Sequence, residues 1–378
     1  MRILIFNWRD IKNPASGGAE ILTHEMAKRW VGQKHQVTLF TSKFDDGKET
    51  EVVDGVKIIR KGTWWTVHIY AFFYYTIYLK KNTDIIIDEV HFFPFFCVLY
   101  ARKKTIALVC EVANKLFFTL FPYPIALLGR AAEKIYLWMY RNVPTMVISP
   151  STEKDLIKEG QRKDIIRVLT LGISYPKGLK IHKKENKQTI IYLARINKQK
   201  GALEAIEAFS IVEKEIANCQ LWIVGSGVSD YITMLRKKIS DYKIVHSVKF
   251  LGFVSEKRKF ELLSKAHILI VPSVHEGWGL TVPEAGSVGT PAIVYDVPGL
   301  RDVVRDGING IIVNKTPAHL AEGIREVFTN KSKYQALCNG AKKESEKYNW
   351  DKTAEVALEV LNSKLEFPAS QRGKGNPK

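Results

Sequence analysis

The sequence predicts an α/β protein of two domains, each with a parallel sheet covered by helices. Short runs of aliphatic and β-branched residues alternate with helical patterns along the whole chain, and this alternation is typical of parallel sheets between helices. The length of 378 residues suits two cores better than one. A lysine-rich stretch with few core residues, 174–187, separates the halves and is predicted to be the linker.

In the first half, short apolar runs predict the strands and longer periodic runs predict the helices. The predicted strands are Ile3–Phe6, Val37–Thr41, Ile85–Ile87, Ile106–Val109 and Met146–Ser149, and helical patterns cover Ala19–Val31 and Ser151–Lys158. Charge reappears at Arg9, so the apolar start of the chain is too short for a signal peptide and is interpreted as the first strand.

The second half repeats this alternation. Its predicted strands are Thr189–Leu193, Leu221–Val224, Val248–Leu251, Ile268–Val271, Ala292–Tyr295 and Gly310–Val313. The predicted domains are therefore 1–173 and 188–349, on either side of the linker. The end of the chain, 367–378, is rich in Pro, Gly, Gln and Lys and is predicted to be disordered.

Composition limits the class of protein without choosing a function. Hydrophobic residues make up 46% and charged residues 25%, which is ordinary for a globular protein. The formal charge of +18 is compatible with nucleic acid, an anionic membrane or an anionic substrate. The four cysteines lack metal-ligand spacing and predict free thiols in a reducing, cytoplasmic compartment: Cys97, Cys110, Cys219 and Cys338.

The first candidate site is the segment Ser16-Gly17-Gly18-Ala19-Glu20, between the first strand and the first helix. Glycines there let backbone N–H groups approach an anion, and a helix N-terminus supplies positive potential. A plain strand–helix turn is the alternative. The segment is not the dinucleotide-binding fingerprint, because the GxGxxG spacing is absent.

The second candidate site follows the first strand of the second half and carries Arg195 and Lys200. Open α/β sheets bind their ligands at the carboxyl ends of the strands. A guanidinium fork and a mobile ammonium both suit a diphosphate. Two solvated surface cations are the alternative interpretation of this pattern.

The third candidate site, His275–Ala285, follows the strand Ile268–Val271 and contains Glu276 and Glu284. Gly277 and Gly279 are predicted to flank the start of a helix, with Glu284 about one turn inside it. Two carboxylates so placed can hold hydroxyl groups at opposite ends of a sugar nucleotide, since a buried carboxylate needs hydrogen-bond partners.

On the basis of these motifs, the chain resembles the retaining glycosyltransferases of family 4, which have the GT-B fold. Glu276 and Glu284 match the E-x7-E motif of that family. The resemblance covers roughly residues 1–363 and includes SGGAE, ARINKQKG, LWIVGSG, FLGFV and the segment 289–313. It implies two Rossmann-like domains facing a central cleft, an N-terminal domain for the acceptor, a C-terminal domain for the nucleotide sugar, and a final helix at about 350–363 that returns to the first domain.

The resemblance also implies a role for each matching residue. Arg195 and Lys200 would neutralise the departing diphosphate, and Glu276 would hold the donor sugar. Glu284 would hold the ribose hydroxyls. The other implied donor contacts are Gly17 and Gly18 at the diphosphate, Val254 at the base, and Gly277, Trp278, Gly279, Leu280 and Thr281 around the sugar.

One position departs from the family pattern. Many relatives carry a histidine near the donor sugar where this chain has Cys110, followed by Glu111. A thiol cannot reproduce the hydrogen bonds of an imidazole, so the sugar-orienting contact is in doubt. His91, after the strand Ile85–Ile87, is a further candidate for a sugar or acceptor contact, although a structural histidine is the commoner outcome.

The family pattern leaves one alternative class open. A protein that binds sugar nucleotides or regulates a partner, with lost or altered catalysis, would explain Cys110, whereas the intact charged residues argue for an enzyme. No DxD-type metal motif precedes a donor site, so neither a metal nor a redox cofactor is expected, and the nucleotide sugar is the co-substrate. Without a recognition module, nucleic acid is not an expected partner.

Aromatic residues are concentrated in the first domain. Residues 64–140 hold 20 of the 41 Phe, Trp and Tyr residues, with lysines and arginines between the clusters. Aromatic side chains flanked by cations suit the membrane–water interface, although part of this set must be core. We therefore expect peripheral contact with an anionic, cytosolic membrane surface and a lipid-linked acceptor, with a soluble oligosaccharide as the alternative.

Overall fold

The computed structural model describes residues 1–114 and 116–366. The chain divides into two compact units. The first comprises Met1–Gly172 together with the chain from Asn349, and the second comprises Ile173–Tyr348. The predicted tail, 367–378, lies outside the described residues.

The first unit is built on an eight-stranded sheet. Its strands are β1 (Arg2–Phe6), β2 (Gln36–Thr41), β3 (Thr50–Val53), β4 (Val56–Arg60), β5 (Ile85–Val90), β6 (Thr105–Val109), β7 (Thr145–Val147) and β8 (Ile166–Val168), in the order β3-β4-β2-β1-β5-β6-β7-β8. Every neighbouring pair is parallel except the β3–β4 hairpin. Strands such as β6 are buried along their whole length, which explains their continuous apolar sequence.

Helices connect these strands. They are α1 (Gly18–Gly32), α2 (Val67–Tyr74), α3 (Cys97–Tyr100), α4 (Leu116–Leu120), α5 (Tyr123–Tyr140) and α6 (Pro150–Lys158). A π-helical turn (Tyr75–Leu79) and a 3-10 turn (Lys80–Asn82) extend α2, and further 3-10 turns cover Arg102–Lys104 and Lys163–Ile165. Pro150 at the start of α6 and the side-chain cap of Ser149 explain why the predicted strand Met146–Ser149 stops earlier, at Val147.

The second unit is a six-stranded, parallel sheet in the order β11-β10-β9-β12-β13-β14. Its strands are β9 (Gln188–Leu193), β10 (Cys219–Val224), β11 (Val248–Gly252), β12 (Ile268–Val271), β13 (Ala292–Tyr295) and β14 (Gly310–Val313). Its helices are α7 (Ala202–Glu215), α8 (Ser229–Asp241), α9 (Glu256–Lys265), α10 (Thr281–Ser287), α11 (Leu300–Val303), α12 (Pro317–Thr329) and α13 (Lys331–Ser345), with a 3-10 turn at Lys198–Lys200. This strand order is that of the doubly wound nucleotide-binding fold.

The last helix, α14 (Trp350–Glu366), belongs to the first unit and lies against α1. The Trp30 indole donates to the carbonyl of Ala354 at 2.9 Å. The Thr353 hydroxyl donates to the carbonyl of Thr170. The two hydrogen bonds span 324 and 183 positions, so they fix the end of the described chain to α1 and to the segment after β8.

The α/β fold with two Rossmann-like parallel sheets is confirmed. Each predicted strand corresponds to a strand of the structure, and β3, β4 and β8 were not predicted. The segment 174–187 forms hydrogen bonds to other parts of the second unit. The Lys184 ammonium donates to the carbonyl of Ala266 and to Thr290 Oγ1, both at 2.6 Å. The predicted roles of the domains and of the linker stay predictions.

Candidate functional site

The second unit places two of the predicted segments side by side. Strands β9 and β12 are neighbours at the point where the strand order reverses. The turn with Lys200 follows β9 and the loop with Glu276 follows β12, so both lie at the carboxyl edge of the sheet. Ligands of open α/β sheets bind at this position.

Local backbone features position Lys200. The Asn197 side chain accepts a hydrogen bond from the Lys200 backbone N–H at 2.9 Å and begins the 3-10 turn. The turn ends at Gly201, whose φ is 75° and whose missing Cβ would lie 2.0 Å from the carbonyl oxygen of Pro272. Only glycine fits there, because the turn is held directly against the end of β12.

Lys200 and Glu276 form an ion pair. The Lys200 Nζ lies 2.7 Å from Glu276 Oε2, and each side chain is 17% exposed. Partial burial strengthens the attraction relative to a surface pair. The structure therefore brings together two residues that are 76 positions apart in sequence and leaves part of each accessible.

Arg195 lies in the loop between β9 and this turn, and its side chain is exposed. Its carbonyl accepts a hydrogen bond from the Tyr192 hydroxyl at 3.2 Å. The loop also approaches the one after β10 closely, since a Cβ on Gly225 would lie 1.9 Å from the carbonyl oxygen of Ala194. A Cβ on Gly227 would lie 2.2 Å from the carbonyl oxygen of Ile196. These glycines therefore set the position from which Arg195 extends.

The loop from Glu276 to Leu280 precedes α10, which begins at Thr281. Gly279 has a φ of 87°, a region that favours glycine. Gly299, from the segment after β13, would place a Cβ 2.2 Å from the carbonyl oxygen of Glu276. Trp278 is buried against Tyr348, with ring centroids 5.0 Å apart, so it supports the loop. Gly277 and Leu280 are half-buried.

Glu284 is buried in the first turn of α10, where Lys259 of α9 is its partner. The Lys259 Nζ lies 2.8 Å from Glu284 Oε1 and 2.8 Å from Glu256 Oε2. Burial raises the pKa of Glu284, and Lys259 opposes this rise. Burial would lower the pKa of Lys259, but the two carboxylates outweigh it and raise that pKa. Sequence reasoning missed Lys259, because the sequence contains no motif that singles it out.

Val254, the predicted contact for the base, is half-buried in the loop between β11 and α9. It lies directly before Ser255, whose hydroxyl caps α9. The loop thus leads into the helix that supplies Lys259. The second unit therefore carries the predicted donor contacts at the carboxyl ends of β9, β11 and β12.

In the first unit, Gly17 and Gly18 begin α1. The Gly17 N–H donates to Glu20 Oε2 at 2.7 Å, which is one half of a capping box, since glycine has no side chain for the reciprocal bond. In this conformation, the carboxylate of Glu20 takes the N–H that we expected to face a phosphate. Gly18 is exposed.

Cys110 lies in a buried cluster around Glu89, at the carboxyl ends of β1, β5 and β6. Glu89 Oε2 accepts from Asn7 Nδ2 and from Thr23 Oγ1, both at 2.6 Å. The Cys110 Sγ lies 3.8 Å from Glu89 Oε1. Burial raises the pKa of Glu89 well above its usual range and does the same to the Cys110 thiol. Burial therefore favours the protonated form of both groups.

The remaining two candidates of the first unit are half-buried. The ring of His91 lies 5.1 Å from that of Trp8. Glu111 follows Cys110 at the end of β6. Over residues 1–114 and 116–366, no group of three or more His, Cys, Asp or Glu side chains is arranged to hold a metal ion.

The chain matches two family models that follow one another along the sequence. Residues 16–175 match the model "Glycosyltransferase Family 4" and residues 178–344 match "Glycosyl transferases group 1". An uncharacterized glycosyltransferase of Methanocaldococcus jannaschii is 33% identical over 187 residues, which are 48% of this chain and 47% of that protein. The chain thus spans about half the length of this curated relative.

Solved structures share the fold at low sequence identity. The sucrose-phosphate synthase of Thermosynechococcus elongatus has a TM-score of 0.79 at 17% identity, over 96% of this chain and 98% of that chain. HepE of Anabaena, solved in complex with UDP and glucose, has a TM-score of 0.73 at 17% identity, over 96% and 100%. These similarities establish the architecture of the chain.

Proposed function

Because the chain belongs to glycosyltransferase family 4, the group 1 glycosyl transferases, we propose that it transfers a hexosyl group from a nucleotide-diphosphate sugar to a glycan acceptor. Members of this family retain the configuration at the anomeric carbon and act without a metal. The observation that carries the proposal is the ion pair of Lys200 with Glu276 at the carboxyl edge of the second sheet. A cation and a carboxylate are thereby available together for a phosphate and a sugar hydroxyl.

Each charged residue of this edge has a proposed task. Lys200 and Arg195 stabilise the negative charge that develops on the diphosphate as it leaves, which is where electrostatic catalysis acts. Glu276 accepts hydrogen bonds from the donor sugar. Glu284, kept in place by Lys259, accepts hydrogen bonds from the ribose hydroxyls.

The proposed reaction keeps the anomeric configuration without a side-chain base. The acceptor oxygen bonds to the anomeric carbon on the face from which the diphosphate departs. The bond between that carbon and the phosphate oxygen breaks, and the leaving phosphate takes the proton of the acceptor hydroxyl. An α-linked donor therefore gives an α-linked product.

The proposed acceptor is lipid-linked, and the proposed location is the cytosolic surface of an anionic membrane. Support comes from the exposed aromatic and aliphatic side chains of the first unit, among them Trp65 and Tyr123, each 71% exposed. Within the described chain, no helix combines the length and the apolarity that crossing a bilayer requires. Peripheral contact is the mode that such a surface supports.

A transfer assay with a panel of donors tests the proposal. UDP-glucose comes first, because HepE of Anabaena was solved with it, and GDP- and other UDP-sugars follow. We expect release of nucleoside diphosphate, labelled sugar in the organic-extractable fraction of added membranes, and an α-anomeric signal by NMR. A β-linked product would contradict retention. Tight donor binding without turnover would favour a binding or regulatory protein instead.

A further inference from the structure

Helix α5 is apolar on both sides. Its inward side chains, such as Tyr136 and Leu137, are buried in the core of the first unit. Its outward side chains include Leu128, Ile135 and Trp138, which are 60–71% exposed. A helix on the surface of a globular protein normally has a polar outer side, whereas one that is apolar all round is covered by another apolar medium.

This apolar surface continues from α5 over α3 to α2. Leu99 of α3 and Trp138 of α5 line one pocket of about 450 Å³. Next to Leu99, the ring of Tyr100 lies 5.2 Å from that of Phe72 on α2. We give the name apolar face to exposed apolar side chains of these three helices and of the π-helical turn that extends α2: Ile69, Phe72, Phe73, Ile77, Leu99, Ile125, Leu127, Leu128, Ile135 and Trp138.

Cations without carboxylate partners border the apolar face. Among the residues that the structure describes, no carboxylate pairs with Lys80, Lys81, Arg102, Lys103 or Arg141, and all five are exposed. Elsewhere in the same unit, Lys12, Lys43 and Arg162 each pair with an acidic residue.

None of the acidic residues that the structure describes between 64 and 141 is fully exposed. Asp88, Glu89 and Glu133 are buried, Asp84 pairs with Arg2, and Glu111 is half-buried at the carboxyl end of β6. The border of the apolar face is therefore positively charged without local compensation.

We propose that the pocket bordered by Arg102 and Arg141 binds the phosphate of an anionic membrane lipid, while Leu99 and Trp138 enter the apolar part of the bilayer. Both arginines line this pocket, and guanidinium groups suit phosphate oxygens. The Arg141 guanidinium lies 5.1 Å from the centroid of the Trp138 ring, so the cation and its apolar neighbour are held together.

Charge favours a bilayer over a second copy of this chain. A two-fold dimer would place this surface against itself and bring the unpaired cations of both copies together. An anionic bilayer supplies an apolar interior and negative headgroups at once, which matches the two components of the surface.

The proposed lipid site is separate from the cluster around Glu89. Arg102 precedes β6 and Arg141 precedes β7, so both lie at the amino-terminal edge of the sheet, opposite the carboxyl ends. Changes at the two arginines therefore leave the carboxyl edge intact. Lys104 is not part of the site, because its ammonium donates to the carbonyls of Lys80 and Thr83.

Vesicle co-sedimentation of the full chain, without donor, tests this inference. We expect retention on phosphatidylcholine vesicles that contain phosphatidylglycerol, little retention on phosphatidylcholine alone, and weaker retention at high salt. R102Q/R141Q should lower the partition coefficient roughly 30-fold, since each cation near an anionic surface contributes about 1 kcal/mol. The control R162Q/R167Q makes the same charge change at exposed positions in and beside β8 and should bind as the wild type does.

A second measurement follows insertion. Lipids brominated in the acyl chain should quench tryptophan fluorescence in the wild type, and W138F should lose part of that quenching. Leu99→Asp, at a position that is 70% exposed, should weaken retention while leaving the melting temperature unchanged. Light scattering without lipid measures whether the chain self-associates.

Four outcomes would overturn the inference. They are equal losses in both double variants, equal binding to uncharged vesicles, a thermal shift with soluble glycerol phosphate but no vesicle binding, and a lipid-free dimer that Leu99→Asp dissociates. The inference rests on the membrane part of the proposed function. Because binding is measured without donor, a protein that transfers no sugar can still bind vesicles, and an active enzyme can fail to bind them.

Discussion

The carboxylates at the carboxyl edges of the two sheets have partners of different kinds. In the second unit, Glu276 pairs with Lys200 and Glu284 pairs with Lys259. In the first unit, Glu89 accepts hydrogen bonds from uncharged groups, and burial raises its pKa. The carboxylates of one edge are therefore paired with cations, whereas burial at the other edge favours the protonated form of Glu89.

This difference matches the ligands proposed for the two units. A diphosphate is anionic, so its binding edge needs cations that are already fixed in place before the ligand arrives. An acceptor hydroxyl is neutral, and a protonated carboxyl group can bind it without first desolvating a charge. The comparison therefore predicts large electrostatic effects in the second unit and small ones in the first.

The largest expected effect is on stability, at Lys259. Lys259→Met leaves Glu284 buried without its cation, and breaking a buried pair in this way costs about 3–5 kcal/mol. Denaturant unfolding should show this loss, and K259M/E284Q should recover most of it. Lys257→Met, at an exposed position of the same helix, is the control. A loss for Lys259→Met no larger than that of the control would mean that the pair is not a stabilising one.

The next effect is on turnover, at Lys200. Lys200→Ala should reduce kcat by about 10²–10³-fold, the usual effect of removing one group that stabilises developing charge. Arg195→Ala should lower kcat in the same direction. Lys198→Ala removes an exposed cation of the same turn and should leave kcat near the wild-type value. Near-normal transfer by both Lys200→Ala and Arg195→Ala would show that the phosphate lies elsewhere.

The second unit could be predicted from sequence more fully than the first. All six of its strands were predicted, since each is a short apolar run in a regular alternation. In the first unit, β3 and β4 form a hairpin that this alternation does not anticipate, and β8 has only three residues. The second unit also carries most of its candidate residues in two motifs, 195–200 and 276–284, whereas those of the first unit come from three separate segments.

Partners that meet only in the folded chain could not be predicted. Lys259 lies 25 positions before Glu284 and contacts it because α9 packs on α10. The groups around Glu89 come from β5, β6, α1 and the end of β1. Even the local hydrogen bond from the Gly17 N–H to Glu20 was missed, although a glutamate three residues after the N-cap is a known acceptor for that N–H.

The pH dependence of stability tests the raised pKa of Glu89. The pKa of Glu89 is raised in the folded protein, so the unfolded chain releases this proton first as the pH rises. The stability that Glu89 contributes is complete below the pKa of an unfolded glutamate, about 4.3. It decreases as the pH rises toward the folded pKa, by at most about 1.4 kcal/mol per pH unit.

Glu89→Gln removes this dependence and keeps an acceptor for Asn7 and Thr23. The free energy of unfolding of the variant, measured from about pH 5 to 8, should therefore change less with pH than that of the wild type. Glu355→Gln, at an exposed position of α14, should follow the wild-type profile. Parallel profiles for Glu89→Gln and the wild type would mean that Glu89 is ionised in the folded protein.

The smallest expected effect is at Cys110, where the family pattern has a histidine. The Cys110 thiol is buried, its pKa is raised by burial, and its contact with Glu89 is long, at 3.8 Å. Cys110→Ala removes one sulfur atom and should cost roughly 1 kcal/mol of stability. Because a neutral thiol stabilises little developing charge, kcat should fall less than tenfold, which corresponds to 1.4 kcal/mol. Cys97→Ala, at another buried thiol of the same unit, is the matched control. A hundredfold fall in kcat for Cys110→Ala alone would place the thiol against the reacting sugar, and the contrast between the two edges would then no longer hold.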